Sequence, residues 1–248
     1  MLDRLLEARR THRKIPLPSP PLTLEAGYRV QDQLREALVA RGERVIGWKA
    51  GLTGRVAQET LKIRHPVSAF ILADGVYATG DTVPLSRFAE LVVEAEIAFV
   101  MKRDLAGPGV TPAAALLAVE GALPALELPE LRWDGAPTGG DLVADGVAGN
   151  ALVLGQPLTP VLGFDLALEG VVYEMTGQVM ATNTAAEVLG NPLNSIAWLA
   201  NNLGERGLGL RAGDLVMSGS ISALLRPKAG DVVTARFTRL GSVSARFV

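Results

Sequence analysis

The 248-residue sequence has no cysteine, which excludes disulfide frameworks, thiolate nucleophiles, iron–sulfur clusters and cysteine-ligated zinc. Histidine is almost as scarce: only His12 and His65 are present, too few for a histidine-rich metal site and in no motif that suggests a serine-hydrolase triad. A metal held by this chain must therefore be held mainly by oxygen, which favours magnesium, manganese or calcium over zinc or copper. A basic excess is also missing. The formal net charge is -2, from 24 basic and 26 acidic side chains, so nucleic acid is not an expected partner. Long apolar runs are lacking too. The charge-free stretch from Gly146 to Phe164 carries four glycines and two prolines and reads as short strands and turns, not a membrane span. The opening Met-Leu-Asp-Arg has no apolar run of secretory length, and the chain reads as cytoplasmic.

What is present suggests one α+β domain. Apolar residues fall at helical spacing from Leu2 to about Arg13 and from Leu24 to Arg41, with the prolines 16, 18, 20 and 21 between them. After Gly42 the texture turns to short β-branched runs broken by glycine, predicting strands over 44–49, 69–77, 91–102, 151–154, 170–175, 214–218, 231–237 and 242–248. Thr111-Pro112 and Asn191-Pro192 pair a capping side chain with proline at the first helical position, predicting helices over 113–120 and 193–203. The expected division is a helical N-terminal segment, 1–43, and a β-rich body, 44–248, in one structural domain. A glycine-rich stretch, Gly207 to Gly213, stands after a helix and before a strand, the wrong order for a dinucleotide-binding turn.

Chemistry concentrates in three places. In Val92 to Val100, Glu94 and Glu96 interrupt an apolar run; in a strand they share a face, with α-carbons about 6.6 Å apart. Two like charges there need a cation or a raised pKa, unless the strand lies at an edge with a wet face. Glu127 sits in the apolar Leu123 to Leu128 and either completes an oxygen-rich site for magnesium or manganese or, with Glu130 following, is a surface acid. Lys49 lies where Gly47-Trp48-Lys49-Ala50-Gly51 turns into a loop, in a chain with 5 lysines against 19 arginines. It is either an active-site lysine, acting as a compact cation or, with its pKa lowered, as an acid–base group, or a lysine snorkelling at a strand end.

Gly42 to Thr53 and Val93 to Val100 resemble the 2-keto-4-pentenoate hydratase and 4-oxalocrotonate decarboxylase family, within the fumarylacetoacetate hydrolase superfamily. The resemblance continues through Leu105 to Thr111, Leu123 to Leu128, Val143 to Asp145, Leu152 to Gly155, Leu189 to Ser220, Lys228 to Asp231 and Leu240 to Phe247. It implies a mixed, rolled β-sheet of the superfamily's C-terminal-domain type, a magnesium or manganese ion on Glu94, Glu96 and Glu127, and Lys49 as an active-site lysine. Asp74 looks like the family's acid at the end of the next strand. A homo-oligomer, and a complex with a related hydratase or decarboxylase, belong to the same expectation.

The departures lie around the substrate. Where the family shows Pro-Arg before its paired acids, this chain has Leu91-Val92; where it shows Asp-Ser-Arg after the third acid, Glu130-Leu131-Arg132; where it shows Asp-Asn-Ala-Ser, Asp145-Gly146-Val147-Ala148. The resemblance implies a lyase that adds water to 2-hydroxypenta-2,4-dienoate, giving 4-hydroxy-2-oxopentanoate in the catabolism of aromatics. Lys49 would polarise the oxo group or move protons, with Asp74 or a metal-bound water as base. The alternatives are decarboxylation of 4-oxalocrotonate by the same chemistry, or a diverged partner subunit that binds metal without turnover.

Overall fold

The computed structural model describes residues Met1–Val248. In chain order it contains α1 (Leu2–Thr11), β1 (Ile15–Pro16), α2 (Leu24–Ala40), β2 (Val45–Gly51), α3 (Arg55–Thr60), β3 (Val67–Leu72), β4 (Val76–Ala78) and β5 (Thr82–Val83). There follow β6 (Glu94–Met101), α4 (Pro112–Ala118), β7 (Val119–Leu128), β8 (Trp133–Asp134), α5 (Gly139–Ala144) and β9 (Ala151–Leu154). The remainder is β10 (Gly170–Met175), β11 (Gln178–Thr184), α6 (Pro192–Gly204), β12 (Leu215–Met217), β13 (Val232–Phe237) and β14 (Ser242–Phe247). Caps explain several boundaries: the side chains of Thr23, Thr111 and Asn191 accept backbone N–H bonds at the starts of α2, α4 and α6, the last two with proline in the first turn.

Seven strands form a mixed sheet in the order β3-β2-β12-β6-β7-β9-β4. Its edges are β3 and β4, yet only residues 73–75 connect them. Seven flat strands would set the edges about 29 Å apart, and the four Cα steps from Leu72 to Val76 reach roughly 14 Å. The sheet must therefore roll until its edges approach. A second sheet, β11-β10-β13-β14-β5, covers the outside of the roll.

Side-chain alternation sorts β6 between two environments. Val93, Ala95, Ile97 and Phe99 join the main core with Val233, Ala235, Val243, Ala245 and Phe247 of the second sheet. Ala98, on the other face, packs inside the roll in a small plug with Ile71, Ala125, Leu152, Leu215 and Met217. Glu94 and Glu96 share the face of Ala98. The roll therefore has an apolar floor on one side of its interior and carboxylates on the other.

Three sequence expectations change. The paired acids are not on an edge, because β6 lies between β12 and β7. The run 69–77 is two strands, split where Gly75 takes a positive φ of 109° and the chain crosses to the far edge. The helix expected over 113–120 ends at Ala118, because Val119 pairs with Met101 and starts β7, sheet pairing outweighing local helix preference.

The N-terminal helices share the main core: Leu5, Leu6, Leu34 and Leu38 pack in the same cluster as Trp48 and Phe70. Helices α2 and α5 touch backbone to backbone, since a Cβ at Gly27 would run into the Gly140 carbonyl and one at Gly140 into that of Leu22. Gly140→Ala is accordingly expected to destabilise the fold by about 2 kcal/mol or more. Urea unfolding with an unchanged midpoint would contradict that close approach.

Candidate metal centre

The β6–β7 register sets Glu94 directly opposite Glu127, and Glu96 opposite Ala125. Directly opposed residues of an antiparallel pair point to the same face, so residues 33 positions apart in sequence become neighbours. The outcome is a cluster in which Glu94, Glu96 and Glu127 each offer a carboxylate oxygen, all within 4.8 Å of one another. Glu96 and Glu127 are buried and Glu94 is half-buried. The reading of Glu127 and Glu130 as surface acids fails, since both are buried.

Lys49 enters from β2. The intervening strand β12 pairs Met217 with Lys49 on one side and with Ala98 on the other, and it ends at Met217, just where the acids begin. The Lys49 ammonium donates to Glu127 Oε1 and, at 3.0 Å, to the Val147 carbonyl. Past β12, the Gly219 amide donates to Glu96 Oε2 at 2.9 Å. Gly219 has a φ of +112° and an added Cβ would strike Thr53, so this donor position requires glycine. The loop after β12 thus gives one carboxylate of the cluster a backbone amide.

The electrostatics follow from crowding. Burial, then Glu127, push the Glu94 carboxyl up to about 7. Burial and the two neighbouring acids raise Glu96 well above the usual carboxylate range, against the pull of Lys49 and the Gly219 amide. Desolvation works to lower the Lys49 pKa, but Glu127, Glu96 and Glu94 together outweigh it and the net shift is upward. Lys49 is thus a firmly held ammonium, not a neutral base. Three carboxylates and one ammonium leave two negative charges, and the donors are all oxygen, so the residues present fit a hard divalent cation.

The cluster lines a cleft of about 620 Å³. Its walls include Leu52, Val56, Val92, Leu131, Val147, Ile221 and Leu224. Its charged lining consists of Lys49, the three acids and Glu187, an exposed side chain at the mouth. No arginine lines it. Positions 92, 131, 147 and 148, where the chain departs from the family pattern, all face this cleft with apolar side chains. Arg132 does not face it: fully buried, it pairs with Glu130 at 2.9 Å and donates to the Gly149 carbonyl at 3.0 Å. Asp74 is not brought to the cluster. Its side chain is 68 % exposed, pairs with Arg87 at 3.1 Å and lies outside the cleft lining.

Together, fold and cluster define a class: a rolled mixed-sheet protein with three carboxylates and a lysine at the base of an apolar cleft. The profile of the fumarylacetoacetate (FAA) hydrolase C-terminal family matches residues 44–248, and the chain belongs to that family. It is 37 % identical over 227 residues to the TodF product hydratase of Pseudomonas putida, covering 90 % of this chain and 84 % of that one. It is 35 % identical over 232 residues to the 4-oxalocrotonate decarboxylase of Pseudomonas sp. strain CF600, covering 92 % and 87 %. The structure of 4-oxalocrotonate decarboxylase from Pseudomonas putida G7, complexed with magnesium and adipate, superposes with a TM-score of 0.96 at 32 % identity, covering 100 % of this chain and 95 % of that one.

A pH-dependent metal response is the consequence. Glu94 and Glu96 are held above their ordinary 4.5, so without an ion their contribution to folding is complete below about 4.5 and falls as pH rises above it, for Glu94 through about 7. A divalent ion favours the ionised carboxylates and reverses the trend. Magnesium or manganese is therefore expected to raise the melting temperature more at pH 8 than at pH 6, and binding at pH 6 to release protons in calorimetry. An equal shift at both pH values would contradict the arrangement.

Proposed function

We propose that the protein is a divalent-metal-dependent hydro-lyase that adds water to a short 2-hydroxydienoic acid, 2-hydroxypenta-2,4-dienoate being the first choice, to give 4-hydroxy-2-oxopentanoate. One observation carries the choice over decarboxylation: the cleft has a single cation, Lys49, no lining arginine, and an acid, Glu187, at its mouth. A monocarboxylate with an apolar tail suits that lining. A six-carbon diacid such as 4-oxalocrotonate would bring a second carboxylate with no cation to meet it, a buried charge left unpaired.

Glu94, Glu96 and Glu127 would hold magnesium or manganese. When bound, such an ion would supply Lewis-acid chemistry, stabilising negative charge that develops on the oxygens of the acid. Lys49 Nζ places a second positive charge beside the same group and can hold or return a proton there. Val92, Leu131, Ile221 and Leu224 take the hydrocarbon tail, which keeps bulk water from the diene and leaves one added water to be oriented at C4. Asp74, at the surface, has no part in this reading. A homo-oligomer in the cytoplasm, able to associate with a related lyase, completes the proposal; light scattering of the purified protein checks the self-association.

The test is an ultraviolet assay of the magnesium- or manganese-loaded protein with freshly generated 2-hydroxypenta-2,4-dienoate and with 4-oxalocrotonate in parallel. Loss of the dienoate chromophore is expected, with Glu96→Gln lowering kcat by about 100-fold or more. Carbon dioxide release from the diacid faster than hydration of the dienoate would replace hydratase with decarboxylase. Silence on both would mean that the altered cleft serves another substrate or only a partner.

The mouth gives a sharper variant. Glu187→Arg is expected to tighten inhibition by six-carbon diacids about tenfold while changing the KM of the dienoate less than twofold. Equal effects on diacid and monoacid would remove Glu187 from the argument.

A further inference from the structure

We propose that Arg9, on the N-terminal helix α1, is a positioning residue for Lys49, acting through the turn at residues 145–149. The proposal rests on the reading of Lys49 as the acting cation of the cleft. Gly146, Val147 and Ala148 take φ values of 83°, 54° and 55° in succession. Such backbone persists in non-glycine residues only where the surroundings over-determine it, the more so for a β-branched one. Within the turn, the Ala148 amide donates to Asp145 Oδ1 at 2.8 Å, and the Glu130 amide donates to the Ala148 carbonyl at 2.8 Å.

The carbonyls on either side of the turn are held from α1. Arg9 Nη2 donates to the Asp145 carbonyl at 2.7 Å and to that of Gly149 at 3.2 Å, and Arg132 Nη2 also donates to Gly149 at 3.0 Å. One guanidinium thus pins both ends, and the carbonyl between them, Val147, faces Lys49 Nζ at 3.0 Å. Lys49 makes its other bond to Glu127, so the turn decides how the ammonium is shared between the acids and the cleft.

The setting is costly for a residue that only packs a helix. Arg9 Nε is enclosed with no partner. Burial, then the nearby Arg132, pull the Arg9 pKa down to about 9. An apolar side chain would fill the same space against Phe70 without that cost, but it could not grip two carbonyls. Arg9 also lies outside residues 44–248, the span matched by the family profile. The N-terminal segment thereby contributes to the site.

The test compares Arg9→Met and Arg9→Lys, with Leu5→Ala as a control that loosens the same helix from the core without touching the carbonyls. Hydrogen exchange of the peptide spanning 142–150 and steady-state hydration of the dienoate with magnesium are measured for each. Arg9→Met is expected to accelerate exchange at residues 146–149 and to lower kcat about tenfold or more, with KM and magnesium affinity changed less than twofold. Arg9→Lys restores part of kcat, a point cation gripping the carbonyls less fully than a fork. Leu5→Ala lowers the melting temperature and leaves exchange at 146–149 and kcat unchanged.

Exchange and kcat unmoved in both Arg9 variants would overturn the proposal, as would a Leu5→Ala variant that reproduces the local exchange and the kcat loss. If Arg9→Met does not fold, Arg9→Lys against Leu5→Ala decides by the same readouts. A wild-type protein silent on the dienoate overturns the hydratase reading alone. The exchange arm then still decides this one.

Discussion

Three carboxylates forced together out of water are the constraint from which the rest of the site follows. Glu94 and Glu127 are opposed by strand register, and Glu96 lies on the same face of β6, so the sheet cannot form without crowding them. Like charges at such separations are tolerated only with protonation, a countercharge or an ion. The protein supplies partial answers to each: raised carboxyl pKa values, the Lys49 ammonium and the Gly219 amide. The two charges left over are what a hard divalent cation would neutralise.

That crowding is kept in place by the roll. The short link from Leu72 to Val76 draws the two edges of the large sheet together, which turns one face of β6 and β7 inward. On that inward face the plug of Ile71, Ala98, Ala125, Leu152, Leu215 and Met217 fills the space on one side of the acids, and the cleft opens on the other. On the outward face Ile97 and Phe99 bind the sheet to the main core. The acids can therefore not move apart without disturbing strands anchored from both sides, and the core bears the cost of a repulsive centre.

Much of this was legible in the sequence, because its signals are local. The spacing of Glu94 and Glu96 puts both on one strand face, and a lysine among glycines in an arginine-rich chain marks Lys49. Register between β6 and β7 is not local. Local pattern alone does not distinguish Glu127, a cluster member, from Glu130, which is buried elsewhere against Arg132 and the Ala89 amide; only the family resemblance points to Glu127. Asp74, expected from the family resemblance, is placed away from the cluster. An acid at the end of β3 resembles a site residue, but Gly75 turns the chain to the far edge just there, and the carboxylate is left outside beside Arg87. The role of residues 146–148 is hidden for the same reason, since a left-handed Val147 and Ala148 are tolerated only through partners distant in sequence.

Why the acting cation is lysine in a chain that otherwise prefers arginine follows from the geometry of the two groups. A guanidinium presents a planar fork that matches a carboxylate bidentately. Among three acids within 4.8 Å it would occupy two oxygens of one or bridge two, removing donors that an ion requires. An ammonium is a point charge: Lys49 engages one oxygen of Glu127 and a backbone carbonyl, leaving the oxygens of Glu94 and the remaining oxygen of Glu127 uncommitted to it. The fork is used instead behind the cleft, where Arg9 and Arg132 grip carbonyls of the turn and rigidity is the need. The two kinds of cation thus divide the labour by shape, the compact one facing the acids and the planar ones holding the backbone that aims it.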